Sequence, residues 1–399
     1  MDRREKLKAF ASQVEKKYGE RSLDIGLRTI EMKRLPTGSI GLDLALGGGL
    51  PHGRISMFYG AKSSGKTTTA YRIAAQCQSL CANCLRPARF EEIPEGEEYD
   101  EDGAPVAPRG YCDCVKTGVY SPVQYPEEKR ADFIARMKGY EENSYERFWV
   151  ALIDVEGSYD QRWAQNLGLK PYGVVFSKPG TAEEAIDVMD HLARTGAVDM
   201  ILLDSIAALT PSKEVEESTE KWQQGLQARL VNKFCRKINS TLNDTGKDYG
   251  RTPTVIFINQ VREKIGVMFG PKETLPGGRG QGYVTATEVK MWANDYERDK
   301  LTGLDFETTR SVRINFKVEK NKTAPPKRTG SYVMNLDDGS INDTKLLTDF
   351  AEGYGVFGKN GKSWEALGVE FKTKKAGVEF LMRPENVARI KELMIEACV

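Results

Sequence analysis

The run Gly60, Ala61, Lys62, Ser63, Ser64, Gly65, Lys66 and Thr67 constrains this chain more than any other feature. It fits G-x-x-x-x-G-K-[ST], directly follows an apolar stretch at residues 54–59 (RISMFY), and directly precedes a helical one, TTTAYRIAAQCQ. Each residue type has a physical reason. Glycines let the loop curl so that backbone N–H groups and a helix N-terminus face an anion. Lys66 then reaches the β/γ-phosphates of a nucleotide, and the Thr67 hydroxyl ligates Mg²⁺, with Thr68 completing the first helical turn. A strand–loop–helix sandwich of this kind belongs in an α/β sheet.

The remaining pattern agrees. Further apolar runs stand at residues 148–153 (FWVALI), 200–203 (MILL) and 254–258 (TVIFI), separated by helical stretches. Their near-continuous apolar character suits strands buried on both faces of a mostly parallel sheet. Each ends in a polar or glycine-bearing segment, and ligands of open α/β sheets bind at that edge. Asp204, closing MILL, is the candidate second Mg²⁺ carboxylate; read alone it is equally a turn residue. Asp154 and Glu156 close FWVALI, and strand alternation expects both to point to the phosphate side. Glu156 is the candidate base for the attacking water, with an ion-pairing carboxylate as the alternative.

Three hundred and ninety-nine residues point to two or three domains, and 40% apolar with 29% charged residues excludes a disordered chain. No run approaches the roughly 18 apolar residues of a membrane span, so no membrane partner is expected. The opening MDRREKLKAF lacks the apolar core of a secretory signal, which predicts a cytoplasmic protein. The net charge of +1 excludes a globally basic nucleic-acid binder, so any such role rests on local patches.

Four units are expected. Residues 1–34 carry a helix with Leu7, Phe10, Val14 and Tyr18 at helical spacing and a short strand near residues 23–25. Residues 35–336 form the ATPase core. Within it, residues 81–145 exceed what an ordinary crossover needs and are an inserted module. Residues 337–399 form a small C-terminal unit whose last helix aligns Val387, Ile390 and Met394. The insertion holds Cys81-x-x-Cys84 and Cys112-x-Cys114, four thiolates suited to a structural Zn²⁺, with Cys77 as a substitute ligand and unligated thiols as the alternative.

The run LPTGSIGLDLALGGGLPHGRISMFYGAKSSGKTT resembles the RecA family of homologous-recombination proteins. So do GAVDMILLDSIAALTP, VIFINQVREKIGVMFG followed by LPGG, and FKVEKNKTAPP, in the family's order. The resemblance implies a RecA-like P-loop ATPase core with small N-terminal helix–strand and C-terminal α/β units. It implies an ATP- and Mg²⁺-dependent recombinase that forms a helical filament of its own copies on single-stranded DNA and exchanges strands with homologous double-stranded DNA. Glu156 matches the family's catalytic glutamate, and Asp160 and Trp163 fall where the family contacts adenine, Trp163 in place of a tyrosine. Gln260 matches the γ-phosphate-sensing glutamine. Lys320 and Lys322 match lysines that reach the neighbouring subunit's ATP; from spacing alone they are a solvated strand end.

The segment 261–282 contributes Arg262, Lys264, Ile265, Met268, Phe269, Gly277, Gly278 and Arg279 as candidate DNA contacts. Its glycines favour mobility, and apolar side chains on a mobile loop suit unstacked bases. Without the resemblance, a flexible lid fits equally. A second DNA-facing loop is expected near residues 217–224, followed by a helix presenting Arg229 and Arg236, seven residues apart, toward the DNA backbone. Trp222 and Gln224 depart from the family there. Two rivals remain: a hexameric helicase of the same core fold, and an ATP-gated scaffold that coats single-stranded DNA without exchanging strands.

Overall fold

The computed structural model describes residues 2–18, 32–90, 110–112, 114, 146–216, 225–248, 252–263, 273–300 and 307–398. In chain order, helix α1 (Arg3–Tyr18) comes first, then β1 (Arg34–Leu35), α2 (Ile40–Leu46), β2 (Leu50–Pro51), β3 (Ile55–Gly60) and α3 (Lys66–Cys77). Next come β4 (Arg89–Phe90), β5 (Gly110–Tyr111), β6 (Val150–Asp154), α4 (Gln161–Asn166), β7 (Val174–Ser177) and α5 (Ala182–Thr195). They are followed by β8 (Met200–Asp204), α6 (Ser212–Glu216), α7 (Leu226–Asp248), β9 (Thr254–Gln260), β10 (Arg262–Glu263), β11 (Glu273–Thr274) and α8 (Gly280–Val284). The long strands β12 (Thr287–Lys300) and β13 (Glu307–Asn321) precede β14 (Thr329–Asn335). The chain closes with α9 (Thr344–Gly353), β15 (Phe357–Asn360), β16 (Ser363–Ala366), β17 (Val369–Phe371), α10 (Lys374–Leu381) and α11 (Pro384–Cys398).

One eight-stranded sheet organises the molecule, in the order β14-β13-β12-β3-β9-β8-β6-β7. The pairs from β12 through β3, β9, β8 and β6 to β7 are parallel, whereas β12–β13 and β13–β14 are antiparallel. The four apolar runs are its buried centre. Alternate residues of those strands feed two separate cores, as strand geometry requires. Phe58, Leu152, Leu202 and Ile256 pack with Ile73 and Ala74 of α3 on one face. Met57, Ile153, Leu203 and Phe257 pack with Met189 of α5 and Phe234 of α7 on the other. This is the α/β architecture expected, with an antiparallel flank added at β13 and β14.

A third core lies in the C-terminal segment, where Leu347, Phe357, Leu381, Ile390 and Met394 bury one another and take in Ile40 of α2, with Val387 at its margin. In α1, Leu7 and Phe10 are 48% and 56% exposed, so the described residues do not cover this part of the apolar stripe. The strand expected near residues 23–25 lies outside the described residues. Among the described residues, no helix is long and apolar enough to cross a membrane.

Candidate nucleotide site and DNA-facing loop

Four strands bring their carboxyl ends to one sheet edge. Gly60 is in register with Gln260, and Asp154 with Asp204. The phosphate loop springs from β3 at Gly60, where a side chain cannot fit: an added Cβ would lie 2.1 Å from the Met291 carbonyl oxygen. Gly65 adopts φ +81° directly before α3, and its Cβ would meet Ile314 Cδ1 at 2.6 Å. Glycine is therefore required at both positions by close packing as well as by the turn. Ala61, Lys62 and Ser63 are exposed, Ser64 and Lys66 are buried, and Thr67 and Thr68 are half-buried.

Lys66 donates from Nζ to the Ala61 carbonyl at 2.6 Å and to Ser64 Oγ at 3.2 Å, folding back over its own loop. Burial pulls its ammonium below the ordinary lysine range, against the opposing charges of Asp204 and Glu156. Thr67 Oγ1 donates to Asp204 Oδ2 at 2.7 Å. Asp204 Oδ1 is buried and accepts no hydrogen bond from the protein. Burial pushes this carboxyl up to about 6; the Thr67 hydrogen bond works against that, and Glu156 and Asp154 add to it. A buried carboxylate oxygen without a partner, next to a hydroxyl, is a donor set that fits a hard cation such as Mg²⁺.

Glu156 lies beyond the end of β6, exposed, and both its carboxylate oxygens accept from Gln260 Nε2, at 3.1 and 3.2 Å. Asp154 does not share its direction, contrary to the alternation argument. It is buried and accepts from the amides of Gly157, Ser158 and Tyr159 at 2.8, 3.2 and 3.0 Å. The strand ends at Asp154, so period-two geometry stops there and an Asx-type turn replaces it. Asp154 thus shapes the loop that carries Glu156. Downstream, Asp160 caps α4 by accepting from the Trp163 amide at 2.7 Å, which fixes the half-buried Trp163 beside this loop.

Lys320 and Lys322 stand apart. Lys320 is opposite Glu288, which is opposite Met57, and the Lys322 amide bonds to Ala286, whose own amide bonds to Ile55. Lys320 therefore sits level with the middle of β3, roughly 10 Å along the strand from Gly60, and Lys322 level with its amino end, roughly 16 Å away. Their ammonium groups donate to the carbonyls of Gly282 at 2.5 Å and Tyr283 at 3.0 Å. Neither reaches the phosphate loop of its own chain.

Of the candidate DNA residues, Arg229 and Arg236 of α7 are exposed, as are Arg262 and Arg279. Lys264, Ile265, Met268 and Phe269 lie outside the described residues, as does the segment 217–224. Gly277 is buried with φ +84°, where a Cβ would lie 2.9 Å from Ile206 and Val231; half-buried Gly278 has φ +74° against Ala228 and Asn232. Here glycine serves close approach to α7 more than mobility. Two buried amides that sequence reasoning overlooked anchor this leg. Asn259 Nδ2 donates to the Pro276 carbonyl and to Gln281 Oε1, and Gln281 Nε2 donates to the carbonyls of Pro276 and Gly278. A polar residue inside the run IFINQ was the available signal, since a buried amide must find partners.

The four insertion cysteines also converge: Cys81, Cys84, Cys112 and Cys114 are buried, with their sulfurs all within 4.8 Å of one another. Cys77 is buried in the ATPase core instead.

Comparison with known proteins follows the same residues. The RecA N-terminal domain family model matches residues 5–86 and 141–340. Protein RecA of Nitratidesulfovibrio vulgaris is 34% identical over 372 residues, covering 92% of this chain and 82% of its own. Protein RecA of Cutibacterium acnes is 32% identical over 366 residues, covering 91% and 82%. Protein RecA of Thermus aquaticus is 30% identical over 407 residues, covering 99% and 95%.

Proposed function

The chain belongs to the RecA family of ATP-using DNA-recombination proteins, and from that premise we propose that it is a DNA-dependent ATPase and strand-exchange recombinase working as a helical filament on single-stranded DNA. The observation that carries this reading is the bond between Gln260 and Glu156. It joins the candidate water-activating carboxylate to the strand that runs directly into the DNA-facing segment.

In this reading, Lys66 and the loop amides hold the β- and γ-phosphates of ATP. Thr67 and Asp204 hold Mg²⁺, which supplies charge neutralisation at those oxygens. Glu156 orients the attacking water and takes its proton, held in place by the loop that Asp154 caps. Asp160 and Trp163 border the adenine, where an indole offers a stacking face. When the γ-phosphate is present, Gln260 leaves Glu156 for it. That move pulls on the end of β9; Asn259 passes the pull to Pro276 and Gln281, and Gln281 passes it to Gly278 and so to Arg279. DNA grip and nucleotide state become one equilibrium.

Lys320 and Lys322 act on the ATP of the neighbouring subunit. Their position set back from Gly60 along the sheet supports this, because within one chain their ammonium groups bond to the Gly282 and Tyr283 carbonyls and not to the phosphate loop. Cations supplied across an interface are worth about 10³–10⁵ in rate for phosphoryl transfer. Head-to-tail stacking also has surfaces available to it. The stripe of α1 is exposed at Leu7 and Phe10, and β7, the outer strand of the sheet among the described residues, exposes Val175 and Phe176. One element lying over a different surface of the next copy is a heterologous contact, which propagates as a helix when it does not close.

Two assays test this. Electron microscopy on single-stranded DNA with a slowly hydrolysed ATP analogue should give open helical filaments; closed six-membered rings would replace the recombinase with a helicase. Strand exchange between homologous DNAs should depend on Lys66 and Glu156; DNA coating without exchange would replace it with a scaffold.

A further inference from the structure

We propose that Cys81, Cys84, Cys112 and Cys114 bind one structural Zn²⁺ as a tetrathiolate, and that this metal is the core which closes the inserted segment onto the ATPase domain. The family match breaks off at residue 86 and resumes at residue 141, so the site straddles the point where this chain departs from its relatives. It is separate from the nucleotide reading above and does not rest on it.

Geometry carries the proposal. A Zn–S bond of about 2.3 Å sets the edges of a sulfur tetrahedron at about 3.8 Å. Here Cys81 and Cys114 have their sulfurs 3.8 Å apart, Cys84 and Cys112 have theirs 3.5 Å apart, and all four lie within 4.8 Å of each other. Both pairwise separations, 3.8 and 3.5 Å, are far beyond the roughly 2.05 Å of a disulfide. The backbone is shaped for the same end. The Leu85 amide donates to the Cys81 carbonyl at 2.8 Å, the Cys81 amide to the Arg86 carbonyl at 3.0 Å, and Leu85 takes φ +60°. A non-glycine residue in the left-handed region needs a compensating interaction, and a metal gripped by Cys81 and Cys84 supplies one.

Among the described residues, the four cysteines form a buried cluster of their own with Ala88 packed against it. The adjoining ribbon is two residues per strand, β4 with β5, and its Phe90 is exposed. A unit this small requires a staple. Its legs are fastened to the core beneath the thiols: the Ala82 amide donates to the Glu146 carbonyl at 2.8 Å, the Ala88 amide to Ser79, and Leu80 bridges to Pro87. Leu80 and Ala82 belong to the ATPase core itself. The site therefore sits past the C-terminal end of α3, about 18 Å from the phosphate loop that begins that helix. Binding converts thiols to thiolates and releases their protons to solvent.

The test uses the full chain purified under reducing conditions without added metal. Elemental analysis should find one zinc per chain. Exchange with Co²⁺ should give the intense visible absorption of tetrahedral cobalt thiolate, and Cys112→Ser should lose both signals while DNA-free ATP turnover is retained. Because that variant can fail to fold, a second arm uses the unaltered protein. Chelation should speed trypsin cleavage between Arg86 and Arg147, and zinc should restore protection. Protein without stoichiometric metal, cobalt spectra lacking thiolate bands, cysteines recovered as disulfides, or cleavage indifferent to chelation would each overturn the proposal.

Discussion

Gln260 Nε2 donates to both carboxylate oxygens of Glu156, so the candidate base and the candidate sensor occupy one another. In the proposed mechanism this pair separates when the γ-phosphate is bound, and the separation is the signal. Glu156→Gln should therefore bind ATP and DNA normally while turnover drops by about 10²–10⁴-fold, the usual worth of a positioned base. Gln260→Ala should break the signal instead. The ratio of DNA affinities with and without a slowly hydrolysed ATP analogue should collapse toward one, measured by fluorescence anisotropy. Wild-type turnover in Glu156→Gln would remove Glu156 from the role.

Placement of Lys320 and Lys322 back along the sheet from Gly60 predicts complementation. A Glu156→Gln chain and a Lys320→Ala, Lys322→Ala chain should each be nearly inactive in DNA-stimulated ATP hydrolysis. Mixed in equal amounts, about a quarter of head-to-tail interfaces pair an intact Glu156 with intact lysines, and activity should recover to about that fraction of wild type. If the lysines served their own chain, mixing would restore nothing.

What the sequence revealed and what it hid follow from how local each determinant is. The phosphate loop was legible because its chemistry demands particular residues at fixed spacing, and the four apolar runs because a strand buried on both faces tolerates little else. The antiparallel flank was hidden: β12 and β13 alternate apolar with charged residues, as in TEVKMWANDYERDK, and read as neither buried strand nor helix. Asp154 was misjudged because alternation holds only while the strand continues, and this strand stops at that residue. Gly277 reads in the sequence as one of several glycines that favour mobility, because sequence cannot distinguish a glycine that permits motion from one that permits contact, here with Val231. The distance of Lys320 from its own phosphate loop is a property of sheet register, which spacing alone does not encode.

Exposed Arg229 and Arg236 lie two turns apart on α7, where phosphates of one strand can meet both. Each phosphate contact on single-stranded DNA contributes about 0.7 to the slope of log affinity against log salt. Arg229→Ala and Arg236→Ala should each flatten the slope by about that amount and weaken binding similarly across sequences, with DNA-free ATP turnover unaffected. Equal slopes in variant and wild type, from titrations at several salt concentrations, would remove α7 from the DNA surface.

Stability should carry a pH signature from Asp43. This carboxylate is buried in α2, where Oδ1 accepts from the Thr37 amide at 2.8 Å and from Thr37 Oγ1 at 2.7 Å. Burial nevertheless pushes it up to about 6 from an ordinary 3.8, with the Thr37 bonds and the Lys391 charge opposing and Asp343 adding. The folded protein thus binds this proton more tightly than the unfolded chain does. Its contribution is fully present below about pH 4 and is lost as pH rises through about 6. Asp43→Asn keeps an oxygen acceptor for Thr37 but has no charge to desolvate. Relative to wild type, its unfolding free energy should therefore rise between about pH 4 and pH 7 by on the order of 3 kcal/mol. Urea unfolding of both proteins across that range measures the difference directly, since titrations elsewhere in the chain cancel. A difference that does not change with pH would mean that the buried carboxyl keeps the same proton affinity folded and unfolded.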